Sequence, residues 1–144
     1  MEYKRMDKTH VTQVAQLEKL CFSCPWSEKS VVSELENPLS LWIVAVEENI
    51  VVGYVGSQSV MGEADMMNLA VLPEYRRKGI AEKLVSSLIQ ELSKNNVSSL
   101  TLEVRASNAP AITLYEKLDF SKIGCRPGYY RNPREDALVL KKEW

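Results

Sequence analysis

The sequence predicts an α/β fold, a mixed sheet with helices on both faces. Three observations carry that prediction. Apolar residues recur at helical spacing in four segments, β-branched runs bounded by Asn, Pro or Gly fall between and after them, and the two patterns alternate with no linker, repeat or low-complexity tract. With 144 residues, 45% hydrophobic and 26% charged, the chain suits a single domain, 1-144, around one buried core.

Met1 to Met6 reads as a short first strand, and Asp7 or Thr9 as the cap of a helix with Val11, Val14, Leu17, Leu20 and Cys21 on one face. Ser27 and Glu28 start a second helix, with Val31, Val32 and Leu35 apolar, stopped by Asn37-Pro38. Leu39 to Glu47 and Ile50 to Gln58 are strands around Glu48-Asn49, a hairpin signal that lacks the glycine usually following Asn. Glu63 to Leu72 is a further strand, ended by Pro73. From Gly79 the period changes, and Ile80, Leu84, Val85, Leu88, Ile89 and Leu92 mark an amphipathic helix to about Asn95. Ser99 to Arg105 returns to strand character, and Asn108 caps a helix with Pro110 in its first turn, reaching about Leu118. Phe120 to Cys125 and Asp136 to Lys141 close the order β-α-α-β-β-β-α-β-α-β-β.

Charge narrows the function classes. Eighteen basic and nineteen acidic residues give a net charge of -1, so no global field draws the chain to nucleic acid or to an anionic membrane, and any anion site is local. The apolar run Leu41 to Val46 is far shorter than the roughly 18 residues of a membrane span, and Met1 to His10 lacks a signal-peptide core. A soluble, cytoplasmic protein is the expectation. Cys21, Cys24 and Cys125 are an odd set that makes no disulfide framework, and with His10 as the only histidine no metal site is expected.

The local anion site is legible in Leu72 to Leu84. A strand ends, Arg76, Arg77 and Lys78 follow in a short turn, and a helix begins at Gly79, so unpaired N–H groups and the positive helix end face the turn. Gly79 lets a ligand approach the backbone, and Ala81 keeps the first turn open. Neither a Walker A nor a Gly-x-Gly-x-x-Gly pattern is present, which leaves a diphosphate held mainly by backbone amides.

Leu102 to Phe120 joins a strand to a helix. Glu103 projects from the sheet face opposite Leu102 and Val104, while Asn108, Ala111, Ile112 and Tyr115 share one helical stripe. A carboxylate, an amide and a phenol are thereby directed at one cleft. Taken singly, such a Tyr reads as core and such a Glu as solvated.

Together, Met67 to Val71, the loop Arg76-Arg77-Lys78-Gly79-Ile80-Ala81, the stretch Glu103 to Asn108 and Tyr115 to Phe120 resemble the GNAT superfamily of acetyl-CoA-dependent N-acetyltransferases. Pro25-Trp26-Ser27-Glu28-Lys29 and Tyr129-Tyr130 are similar to the branch that acetylates the N-terminal alanine of bacterial ribosomal proteins. The resemblance implies a central, mostly antiparallel sheet and acetyl-CoA as cosubstrate. It makes Leu69, Ala70 and Val71 partners of the pantetheine arm and places the diphosphate on the turn from Arg76 through Arg77, Lys78, Gly79, Ile80 and Ala81 to Glu82. Asn108 becomes a CoA contact, Glu103 the proton acceptor, Tyr115 the proton donor, and Trp26, Tyr129 and Tyr130 the lining of a peptide pocket. The implied partner is the N-terminus of a ribosomal protein, with no direct nucleic acid and no membrane, and the protein is a monomer or weak dimer. Cys24 before Pro25, and Arg131-Asn132-Pro133 after the tyrosines, depart from the branch pattern in segments that shape the acceptor pocket. Other protein N-termini, a small amine, or acyl-CoA sensing without catalysis remain alternatives.

Overall fold

The computed structural model describes residues 1–144. The predicted order is present in full: β1 (Glu2–Arg5), α1 (Val11–Cys21), α2 (Glu28–Glu36), β2 (Ser40–Glu47), β3 (Ile50–Val60), β4 (Glu63–Val71), α3 (Ile80–Lys94), β5 (Ser99–Arg105), α4 (Ala109–Lys117), β6 (Ser121–Tyr130) and β7 (Glu135–Glu143). Seven strands form one sheet in the order β1-β2-β3-β4-β5-β7-β6, antiparallel at every pair except β4–β5. Short 3-10 turns at Lys8–His10 and Pro73–Tyr75 add to the predicted elements.

Helix ends follow the capping rules. Asp7 accepts from the Thr9 N–H and His10 answers the Asp7 N–H, a reciprocal cap on the turn that opens into α1, and the Ser27 hydroxyl accepts from the Ser30 N–H. Glu48 and Asn49 both take left-handed φ, 49° and 68°, so the hairpin closes as a two-residue turn whose twist suits the strands without glycine.

The sheet has a core on each face. Nineteen buried residues, led by Leu84, Leu88, Leu92, Leu100 and Ile43, join α3 and α4 to one face. Eleven more, among them Val14, Leu17, Val31, Trp42 and Tyr54, join α1 and α2 to the other. Trp42 and Tyr54 stack with centroids 5.5 Å apart, and Trp42 lies so close over Gly56 that a side chain there would collide with its ring.

Three expectations change. Leu20 is exposed and Glu18 takes the buried place on α1, because 11, 14, 15 and 18 form the i, i+3, i+4, i+7 stripe. Val32 faces outward while Glu34 is buried and accepts from the Gln58 amide. β6 and β7 extend beyond their predicted limits, and β6 runs through Pro127 because it is the edge strand, where a missing N–H is tolerated.

Candidate active site

A wedge in the sheet sets the site. β4 and β5 pair only at Glu63↔Ser99, Ala64↔Leu100 and Asp65↔Thr101. Beyond that point β4 carries a bulge: Gly56 faces Asn68 and Ser57 faces Met66, which leaves Met67 as the extra residue. A bulged strand bends, and the extra residue switches which face each side chain serves. Ala64 and Met66 pack on the α3 side before the bulge, and Leu69 and Val71 do so after it, while Ala70 joins the α1 core.

The same register decides which peptides are free. Ala70 faces Tyr54 and the Leu72 N–H donates to the Val52 carbonyl, so by antiparallel alternation the peptide groups of Leu69 and Val71 turn toward the wedge. Ala70, expected among the pairing residues, has its backbone engaged with β3 instead.

The wedge opens toward the turn before α3. Arg77 and Gly79 both take left-handed φ, 62° and 77°, and α3 begins with no side-chain cap. The first backbone bond into the helix is Lys83 N–H to the Gly79 carbonyl, which leaves the N–H groups of Arg77 to Glu82 without a protein acceptor. Successive N–H groups without acceptors, with left-handed residues among them and at the positive end of a 15-residue helix, make an anion nest. A Cβ at Gly79 would meet no protein atom, so its left-handed φ is what requires glycine there.

The side chains of the turn divide. Arg76 folds back, its Nε donating to the Val71 carbonyl at 3.0 Å and its Nη2 lying 3.6 Å from the Cys21 sulfur, so its guanidinium closes the end of β4 and is not free in the nest. Lys78 lies over the Tyr75 ring at 5.2 Å, and the Glu82 carboxylate pairs with Lys117 of α4 at 3.1 Å. Cys21 is half-buried and Cys24 and Cys125 are exposed, all as free thiols.

At the apex stands Tyr115. It is 5% exposed, packs edge-on against Phe120, and its hydroxyl donates to the Met66 sulfur at 3.7 Å. Met66 is the first β4 residue past the last β4–β5 pair, so the phenol already addresses a sulfur at the closed end of the wedge. Burial, and next the nearby Tyr130, push its pKa above the ordinary phenol range.

Glu103 lies on the face of β5 opposite Leu102 and Val104, 3.5 Å from the Arg126 guanidinium. Burial first, and the Glu103 carboxylate second, raise the Tyr130 phenol to about 12. Tyr129 packs edge-on against Tyr130 at 5.1 Å and is half exposed.

Asn108 and Trp26 sit apart from that corner. The Asn108 oxygen accepts from the Ala111 N–H at 3.3 Å, so it is occupied as the α4 cap, about 10 Å along the helix from Tyr115. Trp26 is half-buried and edge-on to Trp42 at 5.5 Å, anchoring the segment between α1 and α2.

Comparison with known proteins gives these features a context. The Acetyltransferase (GNAT) family profile matches residues 11–120. The chain belongs to that family. It is 36% identical over 137 residues to the [ribosomal protein bS18]-alanine N-acetyltransferase of Escherichia coli K12, spanning 94% of this chain and 92% of the relative. It is 34% identical to the enzyme of the same name from Haemophilus influenzae, over 87% and 86% of the two chains. The crystal structure of the Escherichia coli ribosomal-protein-S18-alanine N-acetyltransferase superposes with a TM-score of 0.90 at 35% identity, covering 99% of this chain and 92% of that one. Arabidopsis thaliana NAA60 in complex with acetyl-CoA gives a TM-score of 0.88 at 18% identity, covering 99% and 97%, a likeness of fold. An acetyl-CoA-dependent N-acetyltransferase with a mostly antiparallel sheet is therefore what this GNAT chain is.

Four residues beyond the sequence expectations shape the site: Met66, Arg126, Glu18 and Arg105. Arg105 donates to the Pro133 carbonyl at 2.9 Å, the Arg131 carbonyl at 3.1 Å and the Glu135 carboxylate at 3.3 Å, with its guanidinium 4.5 Å from the Tyr130 ring centre. It thereby clamps the β6–β7 loop. Its place two residues after Glu103, on the same strand face, was the available signal.

Proposed function

We propose that this enzyme acetylates the α-amine of the N-terminal alanine of ribosomal protein bS18. The observation that carries this reading is the 36% identity to the bS18-alanine N-acetyltransferase of Escherichia coli across 94% of the chain, which takes in the acceptor-side segments as well as the anion nest. The residues fit acetyl-CoA: the peptide groups of Leu69 and the N–H of Val71 line a strand edge that β5 leaves open, the Arg77 to Glu82 amides await a diphosphate, and Tyr115 addresses a sulfur. When bound there, acetyl-CoA supplies an activated acetyl thioester.

The chain's own groups then have defined tasks. An α-amine with pKa near 7.7–8 costs about 1 kcal/mol to deprotonate at pH 7, against about 4–5 for a lysine near 10.4, so an N-terminus needs the weaker base. Glu103 accepts the proton from the amine, directly or through one water. The cation of Arg126 lies beside the same carboxylate, and an arriving ammonium competes with it for the oxygens. Tyr115 keeps its proton at neutral pH and hydrogen-bonds the departing sulfur, which places its main contribution in stabilising developing negative charge. Tyr129 and Tyr130, held by Arg105, border the path of the peptide.

The test is CoA release from acetyl-CoA with bS18 N-terminal peptides. Turnover is expected with a free N-terminal alanine, and little with the same peptide blocked at its α-amine and carrying an internal lysine. Equal or faster turnover of the blocked peptide would overturn the assignment.

A further inference from the structure

One buried carboxylate outside the proposed chemistry joins the segment between α1 and α2 to β4. Glu18 is 0% exposed and has no cationic partner. One oxygen accepts from the Trp26 backbone N–H at 2.8 Å and the other from the Asn68 side-chain amide at 2.7 Å. Burial pushes its carboxyl pKa up, and those two bonds oppose the shift. Val14, Leu17, Val31, Trp42 and Ala70 form the apolar layer on this face. A carboxylate is costly to bury in such a layer, so the apolar packing does not account for a glutamate here.

Its two contacts do. Trp26 lies in the segment between α1 and α2, which the family resemblance assigns to the acceptor pocket, and Asn68 lies between the Met67 bulge and Leu69, whose peptide faces the wedge. An ionised carboxylate accepts and never donates, so it fixes the Trp26 peptide and the orientation of the Asn68 amide together. The end of α1, where that segment begins, is tied to β4 as well, through the Arg76 guanidinium beside the Cys21 sulfur.

We propose that Glu18 is a positioning residue for the acceptor: through Trp26 and Asn68 it holds the α1–α2 segment at a fixed place over the β4 bulge, so that the acceptor meets the wedge in one geometry. The acceptor's identity rests on the function proposed above, but the tie itself does not.

The test uses Glu18→Met, which keeps volume and removes both bonds, and Glu18→Gln, whose amide keeps the Trp26 bond and meets Asn68 after that side chain flips. Glu18→Met is expected to speed hydrogen exchange at the Trp26 amide about 10-fold or more. It is also expected to raise KM for the alanine peptide about 10-fold, with kcat at saturating peptide and KM for acetyl-CoA within about threefold. Glu18→Gln is expected to stay within about threefold of the parent in every measure. Should Glu18→Met not fold, Asn68→Ala, which removes the β4 end of the tie, is expected to raise the peptide KM several-fold in the same pattern.

A purely structural role would lower kcat through loss of folded enzyme at unchanged KM, and that result overturns the proposal. So does unchanged exchange at Trp26, or faster exchange with an unchanged peptide KM. If the parent enzyme ignores the alanine peptide, the function proposed above fails by itself, and the KM arm moves to whichever amine the parent does acetylate.

Discussion

The two ends of the wedge are made of different materials. The proposed diphosphate end is backbone: six consecutive amides from Arg77 to Glu82, oriented by two left-handed residues and a helix start. The proposed acceptor end is side chain: Glu103 paired with Arg126, Tyr130 under the Arg105 guanidinium, and Tyr115 bonded to Met66. Backbone donors survive most substitutions of the residues that carry them, whereas each acceptor-side group is lost with its side chain. Sensitivity to mutation is therefore expected to be lopsided along a single cleft.

The largest effect is expected from Tyr115→Phe, a loss of about 100-fold in kcat with KM for acetyl-CoA within about twofold, measured by steady-state kinetics. Because that hydroxyl has only the Met66 sulfur as partner, Tm should change little. A large rise in KM at constant kcat would move Tyr115 to a binding role. Glu103→Gln comes next, with about a 30-fold loss and a flattened rise in rate between about pH 6 and 9. An unaltered pH profile would remove Glu103 as proton acceptor.

Arg105→Ala releases three hydrogen bonds to the β6–β7 segment and is expected to raise peptide KM about 10-fold while sparing acetyl-CoA. Equal losses for both substrates would mean that the clamp serves the whole wedge. At the other end, Gly79→Ala must hold a left-handed alanine at about 1 kcal/mol and set a methyl group in the nest, raising KM for acetyl-CoA about fivefold without changing peptide KM. The smallest effect belongs to Arg77→Ala, about a twofold rise in KM for acetyl-CoA that fades at high salt, because its amide stays in place. A loss of 100-fold there would show that side chains, not peptides, hold the anion.

Where local chemistry decided the structure, the sequence was sufficient. Gly79 before an amphipathic run marked the helix start, the alternation of Leu102, Glu103 and Val104 oriented the carboxylate, and Asn108 was read correctly as a cap. Relationships between distant segments were less legible. The Met67 bulge has no local signature, yet it determines which β4 peptides face the wedge. Arg76 stands in a basic triplet and folds onto Val71 because a carbonyl at a strand end lies within reach, and Glu18, absent from the apolar pattern of its helix, takes a buried place there against Asn68. Spacing gives the face of an element; partners come from packing.

The unpaired stretch of β4 also measures length. From Met66, touched by the Tyr115 hydroxyl, to Val71 at the mouth is about 16 Å of extended chain, and the amide nest begins a few residues beyond. A donor molecule can place its anionic head in the nest and its thioester beside the phenol only if the arm between them matches that span. In the proposed binding mode, carriers with the same acetyl group on a shorter tether would forgo one end or the other, and the sheet would discriminate among acyl donors as a ruler does, independently of their charge.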